Sequence, residues 1–137
     1  MPAAGGAAEQ VTTAGGYSAL EGPAGEFIYY AKYDADGIWR RPLDDSEVEE
    51  QVYPWLDVLD WGSWLVRPEG IYAVNQNPAG IALYNPDTQE LTPIVPFSGG
   101  LPRQTPALSI SADGRFLIWA QVDRAEDDVY LAEGIGR

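Results

Sequence analysis

A chain of 137 residues has room for one domain with a hydrophobic core. Its net charge of −13 would repel a phosphate backbone, so we expect no nucleic-acid partner for this chain. Histidine and cysteine are both absent, which excludes Ser-His-Asp triads, thiolate metal sites and disulfides. We therefore predict no enzyme activity, no cofactor and no metal site. No apolar run reaches the roughly 18 residues of a membrane span, and no membrane insertion is expected.

Residues 1–13 are interpreted as the remnant of a sheet and not as a targeting segment. MPAAGGAAEQVTT lacks a basic region and an apolar core, so we expect no signal peptide in this chain. Glu9–Thr13 is predicted to be an outermost strand whose neighbouring strands are missing.

Eleven further strands are predicted from short apolar runs bounded by turn residues. The first group is Tyr17–Glu21, Phe27–Lys32, Ile38–Arg41 and Glu49–Tyr53. The second group is Ser63–Val66, Ile71–Asn75, Ile81–Tyr84 and Glu90–Val95, and the third is Ala107–Ser111, Phe116–Gln121 and Asp128–Ala132. A connector, Trp55–Trp61, leads from the first group to the second.

Residues 44–52 allow two interpretations. Ser46 and Glu49 form a capping-box pattern, which is typical of a helix start. Against this, Glu50-Gln51-Val52 repeats the earlier Glu9-Gln10-Val11 and favours a strand. We choose the strand, which Pro54 would end.

The strand groups repeat along the chain. GEFIYYAKYD, which begins at Gly25, aligns with GRFLIWAQVD, which begins at Gly114, and Gly70 heads a weaker copy midway between them. The period of about 45 residues is the length of one four-stranded propeller blade.

The turn Ser111-Ala112-Asp113-Gly114-Arg115 and the strand after it resemble the WD40-like Pro-Asp repeat of TolB-type bacterial propellers, with alanine in place of proline. The chain is also similar to the C-terminal part of propellers attached to bacterial winged-helix transcriptional regulators. GGYSALEGPAGEFIYYAK, GIWRRPL and LSISADGRFLIWAQVDRAEDDVYLAE carry that resemblance.

The resemblance implies an all-β fold of about three four-stranded antiparallel blades, a partial β-propeller that covers residues 1–137. Its parts would be a blade remnant at 9–13, blades at 17–53 and 62–96, and an incomplete blade at 106–133. Three blades are too few to close. Two alternatives remain open: a homodimer that closes a six-bladed ring by exchanging Glu9–Thr13, or a portion of a longer propeller.

For function, the resemblance implies a non-catalytic scaffold for protein or ligand binding, such as the sensor or interaction module of a bacterial regulator. The alternative is the non-catalytic propeller portion of a prolyl-oligopeptidase-like hydrolase. Asp34-Ala35-Asp36-Gly37 begins like a calcium loop but lacks the downstream glutamate, so a hairpin turn is expected.

The expected strand order places the loops after second strands on one face with the connectors. Exposed aromatics among carboxylates suit a basic or peptide partner. The candidate binding residues are Tyr33, Asp34, Asp36, Trp55, Trp61, Arg103, Asp123 and Arg124. Trp39, Trp64 and Trp119 are expected to pack between sheets, whereas packing and surface roles remain open for Trp55 and Trp61.

Overall fold

The fold is all-β, with three antiparallel sheets and no α-helix among the residues described here. A computed structural model describes residues 5–8, 10–13, 15–44, 48–100, 103–123 and 126–134. The first sheet contains β1 (Tyr17–Glu21), β2 (Phe27–Ala31), β3 (Ile38–Pro42) and β4 (Glu50–Tyr53). The second contains β5 (Trp64–Arg67), β6 (Gly70–Gln76), β7 (Ala79–Asn85) and β8 (Glu90–Pro96). The third contains β9 (Leu108–Ile110), β10 (Phe116–Asp123) and β11 (Glu126–Glu133).

Each sheet is a meander in which the spatial order of strands follows their order in the chain. Successive strands pair antiparallel, and side chains along each strand alternate between the two faces of the sheet. In the first sheet Tyr29 lies opposite Arg40, and Tyr30 lies opposite Trp39. Because of this alternation, every second side chain of a strand lies on the face that packs on a neighbouring sheet, and the others lie on the opposite face.

The three sheets pack face to face, with the second sheet in the middle. Tyr29 and Ile38 of the first sheet pack in one cluster with Trp64 and Ile71 of the second. On the other side of the second sheet, Ile81 packs in a cluster of the third sheet. The first strands of neighbouring sheets also touch, β1 against β5 and β5 against β9. The second sheet is therefore covered on both faces, and β6 is buried along nearly its whole length.

The outer face of the third sheet is open. Val129 is 77% exposed and Leu131 is 57% exposed, and Ile118 lies opposite Leu131 in the sheet. Leu117 and Trp119, one position away on either side of Ile118, are buried against the second sheet. The same strand thus carries one apolar face into the core and another into solvent.

The predicted strands from Tyr17 onward are confirmed, with ends that differ by a few residues. The strand interpretation of residues 44–52 is confirmed at Glu50–Tyr53, while residues 45–47 lie outside the described part of the chain. The connector after β4 also contains a 3₁₀ helix that was not predicted, η1 (Val58–Asp60). The Asp57 side chain caps this helix by accepting a hydrogen bond from the Leu59 N–H at 2.8 Å.

The predicted strand at Glu9–Thr13 is wrong for Gln10–Thr13, which lie outside every strand; Glu9 is outside the described residues. The Arg41 guanidinium donates to the Val11 carbonyl, so the backbone at this point pairs with a side chain instead of a strand. Exchange of this segment with a second copy would require it to leave that position. None of the described residues forms a helix that could cross a lipid bilayer.

Substitution of Gly70 tests how closely the strands of the second sheet pack at this position. Its φ of 143° lies in a region that L side chains rarely adopt, and a Cβ there would overlap the Tyr84 carbonyl oxygen. We expect Gly70→Ala to lower the free energy of unfolding by about 2–4 kcal/mol, measured by urea denaturation. The control is Gly100→Ala, whose added Cβ meets no atom within 4 Å. Equal losses in the two variants would contradict this account.

Candidate functional site

One end of the sheet stack gathers the segments that could form a site. In a meander, the loop after the second strand and the chain leaving the fourth strand lie at the same end of the sheet. Connectors between sheets therefore join the ends that also carry the β2–β3 and β6–β7 loops. We call this end the loop face. Its described segments are residues 32–37, 54–63, 77–78, 97–100 and 103–107.

A buried carboxylate holds the loop face together. Asp60, in η1, is only 1% exposed. Its Oδ2 accepts a hydrogen bond from Gln76 Nε2 at 2.8 Å, and its Oδ1 accepts from Arg103 Nε at 3.2 Å. Arg103 also reaches Asp57, with 2.7 Å between Nη2 and Oδ1. Both connectors and the end of β6 thus meet at one side chain.

The β2–β3 loop joins the same network through the first connector. Asp36 Oδ1 accepts from the Val58 N–H at 3.0 Å, and the Gly37 N–H donates to the Leu56 carbonyl at 2.7 Å. The second connector adds a further bond, from the Gln104 N–H to the Leu59 carbonyl at 2.7 Å. The loops are therefore fixed by bonds between segments that are distant in sequence.

These contacts shift the ionisation of two groups. The pKa of Asp57 lies below its ordinary value, chiefly because the Leu59 N–H donates to the carboxylate and also because Arg103 pairs with it. The pKa of Arg103 is raised, first by its hydrogen bond to Asp57 and further by Asp60. Both groups are therefore charged at neutral pH, and each stabilises the charge of the other.

Three aromatic side chains on the loop face enclose a cleft of about 380 Å³. The Tyr17 and Trp61 rings meet edge to face at 89°, with centroids 4.6 Å apart. Tyr33 flanks Tyr17 at 6.1 Å and is 81% exposed, and Tyr17 is 43% exposed. We call this the aromatic cleft. Its lining consists of Tyr17, Lys32, Tyr33, Val58, Leu59, Trp61 and Gln104.

The strand that carries Tyr17 is irregular at this point. Tyr17 pairs with Ala31 and Ala19 with Tyr30, so Ser18 is an extra residue, and its φ is positive at 28°. Such a bulge bends the strand and redirects the neighbouring side chain. We attribute the position of the Tyr17 ring, over Trp61, to this local irregularity.

Lys32, the one cation among the described residues that line the cleft, is already neutralised. Lys32 Nζ lies 2.5 Å from Glu49 Oε2 and 3.8 Å above the centroid of the Trp39 ring. Tyr30 donates its hydroxyl hydrogen to the other Glu49 oxygen. Burial raises the pKa of Glu49, but the hydrogen bonds from Lys32 and Tyr30 outweigh burial and lower it overall. Lys32 therefore contributes its aliphatic stem to the cleft rather than a free charge.

The structure brings together some of the sequence-predicted residues and separates others. Tyr33 and Trp61 share the aromatic cleft, and the exposed Asp34 follows Tyr33 on the same loop. Trp55 packs instead on Tyr53 and Tyr84, at centroid distances of 5.3 and 5.6 Å.

Asp36 and Arg103 are engaged in the loop network described above. Asp123 ends β10, where its backbone pairs with Glu126, and Arg124 lies outside the described residues.

Sequence reasoning missed Leu59, Gln104 and Asp60. Leu59 and Asp60 lie in a one-turn helix with no periodic signal, and Gln104 lies in a loop rich in glycine and proline. Only the clustering of aspartates in the connector, at positions 57 and 60, could have pointed to a structured turn. Among the described residues no group of three or more Asp or Glu side chains could hold a metal ion.

A larger cleft, of about 420 Å³, lies at the opposite end of the stack, and several of its polar groups are engaged internally. Arg40 pairs with Glu50 at 2.9 Å, and Arg67 donates to the Ala112 carbonyl at 3.1 Å. Asn85 accepts from the backbone N–H groups of its own turn. The aromatic cleft is smaller but is lined by three aromatic side chains, two of which, Tyr17 and Tyr33, are exposed, so we take it as the candidate site.

No family model matches this chain, and no curated protein or solved structure is significantly similar to it.

The Asp60 network can be tested by stability. Asp60→Ala leaves the Gln76 amide without its acceptor, whereas Arg103 retains Asp57 and is partly hydrated. We expect a loss of about 2–3 kcal/mol in the free energy of unfolding, less than for a fully buried ion pair. Asp34→Ala, at an exposed position, should change stability by no more than about 0.5 kcal/mol. Urea denaturation of both variants checks this, and similar losses in the two would refute the assignment.

Asp57 should contribute to the acid sensitivity of the fold. Because its folded pKa lies below the unfolded value of about 4, its stabilisation is complete above that pH. The contribution is lost as the pH falls from about 4 toward the folded pKa. We expect Asp57→Asn to show a smaller fall in stability between about pH 7 and pH 3 than the wild type, measured by urea midpoints.

Proposed function

We propose that this chain is a non-catalytic β-propeller scaffold, of the TolB-like or WD40-like kind, that binds a protein or peptide partner on its loop face. The strand arrangement supports the propeller assignment. Meander sheets that pack face to face and touch through their first strands are expected for blades set around an axis. The sequence period of about 45 residues agrees with one sheet per repeat.

The observation that carries the binding role is the aromatic cleft. Its three rings are partly or largely solvent-exposed, yet they stand in fixed positions because the loops beneath them are hydrogen-bonded to one another. Tyrosine and tryptophan are enriched at binding surfaces because they offer an apolar body and a polar tip. Rigid support reduces the entropy that is lost when a partner binds.

The charge of the chain narrows the choice of partner. With a net charge of −13, the protein attracts basic partners at long range and repels acidic ones. A basic peptide, or a basic patch on a protein, therefore suits the loop face. In a bacterial regulator of the kind that this chain resembles, such a module would serve as the sensor or interaction domain.

The test is a peptide array of unrelated sequences, probed with the wild type and with Tyr33→Ala. Tyr33 is mostly exposed, so its removal should leave the fold intact while weakening cleft-bound peptides by about tenfold or more. Leu43→Ala is the control, because Leu43 is an exposed apolar residue that does not line the cleft. If every bound peptide binds Tyr33→Ala and the wild type equally, the aromatic cleft is not the binding site and the proposal fails.

A further inference from the structure

We propose that the aromatic cleft binds a proline-rich segment in the polyproline II conformation, with a basic residue beside it. This inference rests on the proposed binding function and names the chemistry of the partner. It follows from three properties of the cleft: the arrangement of its rings, the hydrogen-bond donors on its lining residues, and the charge around it.

The rings form notches rather than a flat wall. Tyr17 stands at 89° to Trp61 and at 53° to Tyr33, so the three rings present faces in different directions around one opening. Proline-rich segments dock in aromatic-lined grooves of this kind, where pyrrolidine rings lie against aromatic faces. Because such a segment is already extended before it binds, it loses little conformational entropy.

Several residues that line the cleft carry hydrogen-bond donors. The Trp61 indole N–H, the Tyr17 and Tyr33 hydroxyls and the Gln104 side-chain amide make no hydrogen bond to other residues that the structure describes. A polyproline II segment has no internal hydrogen bonds and leaves its carbonyls free to accept. Proline itself lacks an N–H, so it does not require acceptors from the site.

The shape of the cleft disfavours the other common modes of peptide recognition. Its volume of about 380 Å³ is small for an α-helix, which is about 10–12 Å wide with its side chains. Apart from Tyr17 at the start of β1, its lining residues lie in loops and connectors, so a peptide would find little strand edge to extend. A short extended segment that inserts side chains between rings is the remaining mode.

The charge beside the cleft indicates which residue should flank the prolines of the bound segment. Asp34 is exposed and directly follows Tyr33, whereas Asp36 already accepts from Val58. Lys32, the cation in the lining, is paired with Glu49 and does not repel a basic residue as a free charge would. An arginine or lysine next to the prolines would therefore face Asp34 beside the rim of aromatic rings.

The test uses a fluorescent decapeptide with a Pro-X-X-Pro core and an arginine at each end, titrated against the full chain. Two matched peptides replace either the prolines by alanine or the arginines by glutamate. We expect the alanine peptide to bind at least about tenfold more weakly, and the glutamate peptide to show no saturable binding.

Protein variants locate the interaction. Trp61→Phe keeps an aromatic ring but removes the indole N–H, and Tyr33→Phe removes a hydroxyl alone. Each should weaken the proline peptide by about three- to tenfold, with Leu43→Ala unchanged and near-ultraviolet circular dichroism confirming that all variants are folded. Equal affinity for the alanine peptide, or no effect of Trp61→Phe, would overturn the inference.

The array described above separates the two proposals. Cleft-dependent peptides that lack proline, together with no binding of the proline peptide, would overturn this inference and leave the binding function in place. If no peptide on the array depends on Tyr33 and the proline peptide does not bind, both proposals fail.

Discussion

The buried carboxylate of Asp60 is the contact on which the order of the loop face depends. A carboxylate can be buried only where donors satisfy it, and here Gln76 and Arg103 supply them from segments far apart in the chain. Its position is thereby fixed relative to the end of β6 and to both connectors. Leu59 and Trp61 are the chain neighbours of Asp60, so fixing Asp60 also fixes these two lining residues. A cleft built mainly from loops can therefore have a defined shape.

The three sheets depend on one another for burial of their apolar faces. A single small sheet cannot cover both of its own faces, and stacking covers the faces that each sheet presents. The second sheet benefits most, with Trp64 and Ile71 on one side and Ile81 on the other. Close approach of its strands depends on Gly70, where the chain turns from β5 into β6 and lies against the Tyr84 backbone.

Sequence reasoning predicted the strands from Tyr17 onward because short apolar runs and the turn residues that bound them are local signals. The repeated Glu-Gln-Val correctly favoured a strand at β4 over the capping-box pattern, yet the same repeat misled at Gln10–Thr13, where the Arg41 side chain binds the backbone. Tyr33 and Trp61 could be placed on one face by topology. Asp60, Gln104 and the pairing of Lys32 with Glu49 could not, because those contacts arise only when distant segments meet.

The pairing of Lys32 also decides how this protein responds to covalent chemistry. Lys32 is the sole lysine in the sequence, and its amine is held between the Glu49 carboxylate and the Trp39 indole. An electrophile that acylates lysines needs a free and accessible amine, which this contact withholds. The folded protein therefore presents no readily acylated lysine. Attachment of a dye, a cross-linker or a modifying group to the lysine side chain would report local opening of the contact between Lys32, Glu49 and Trp39, and not the accessibility of the folded surface.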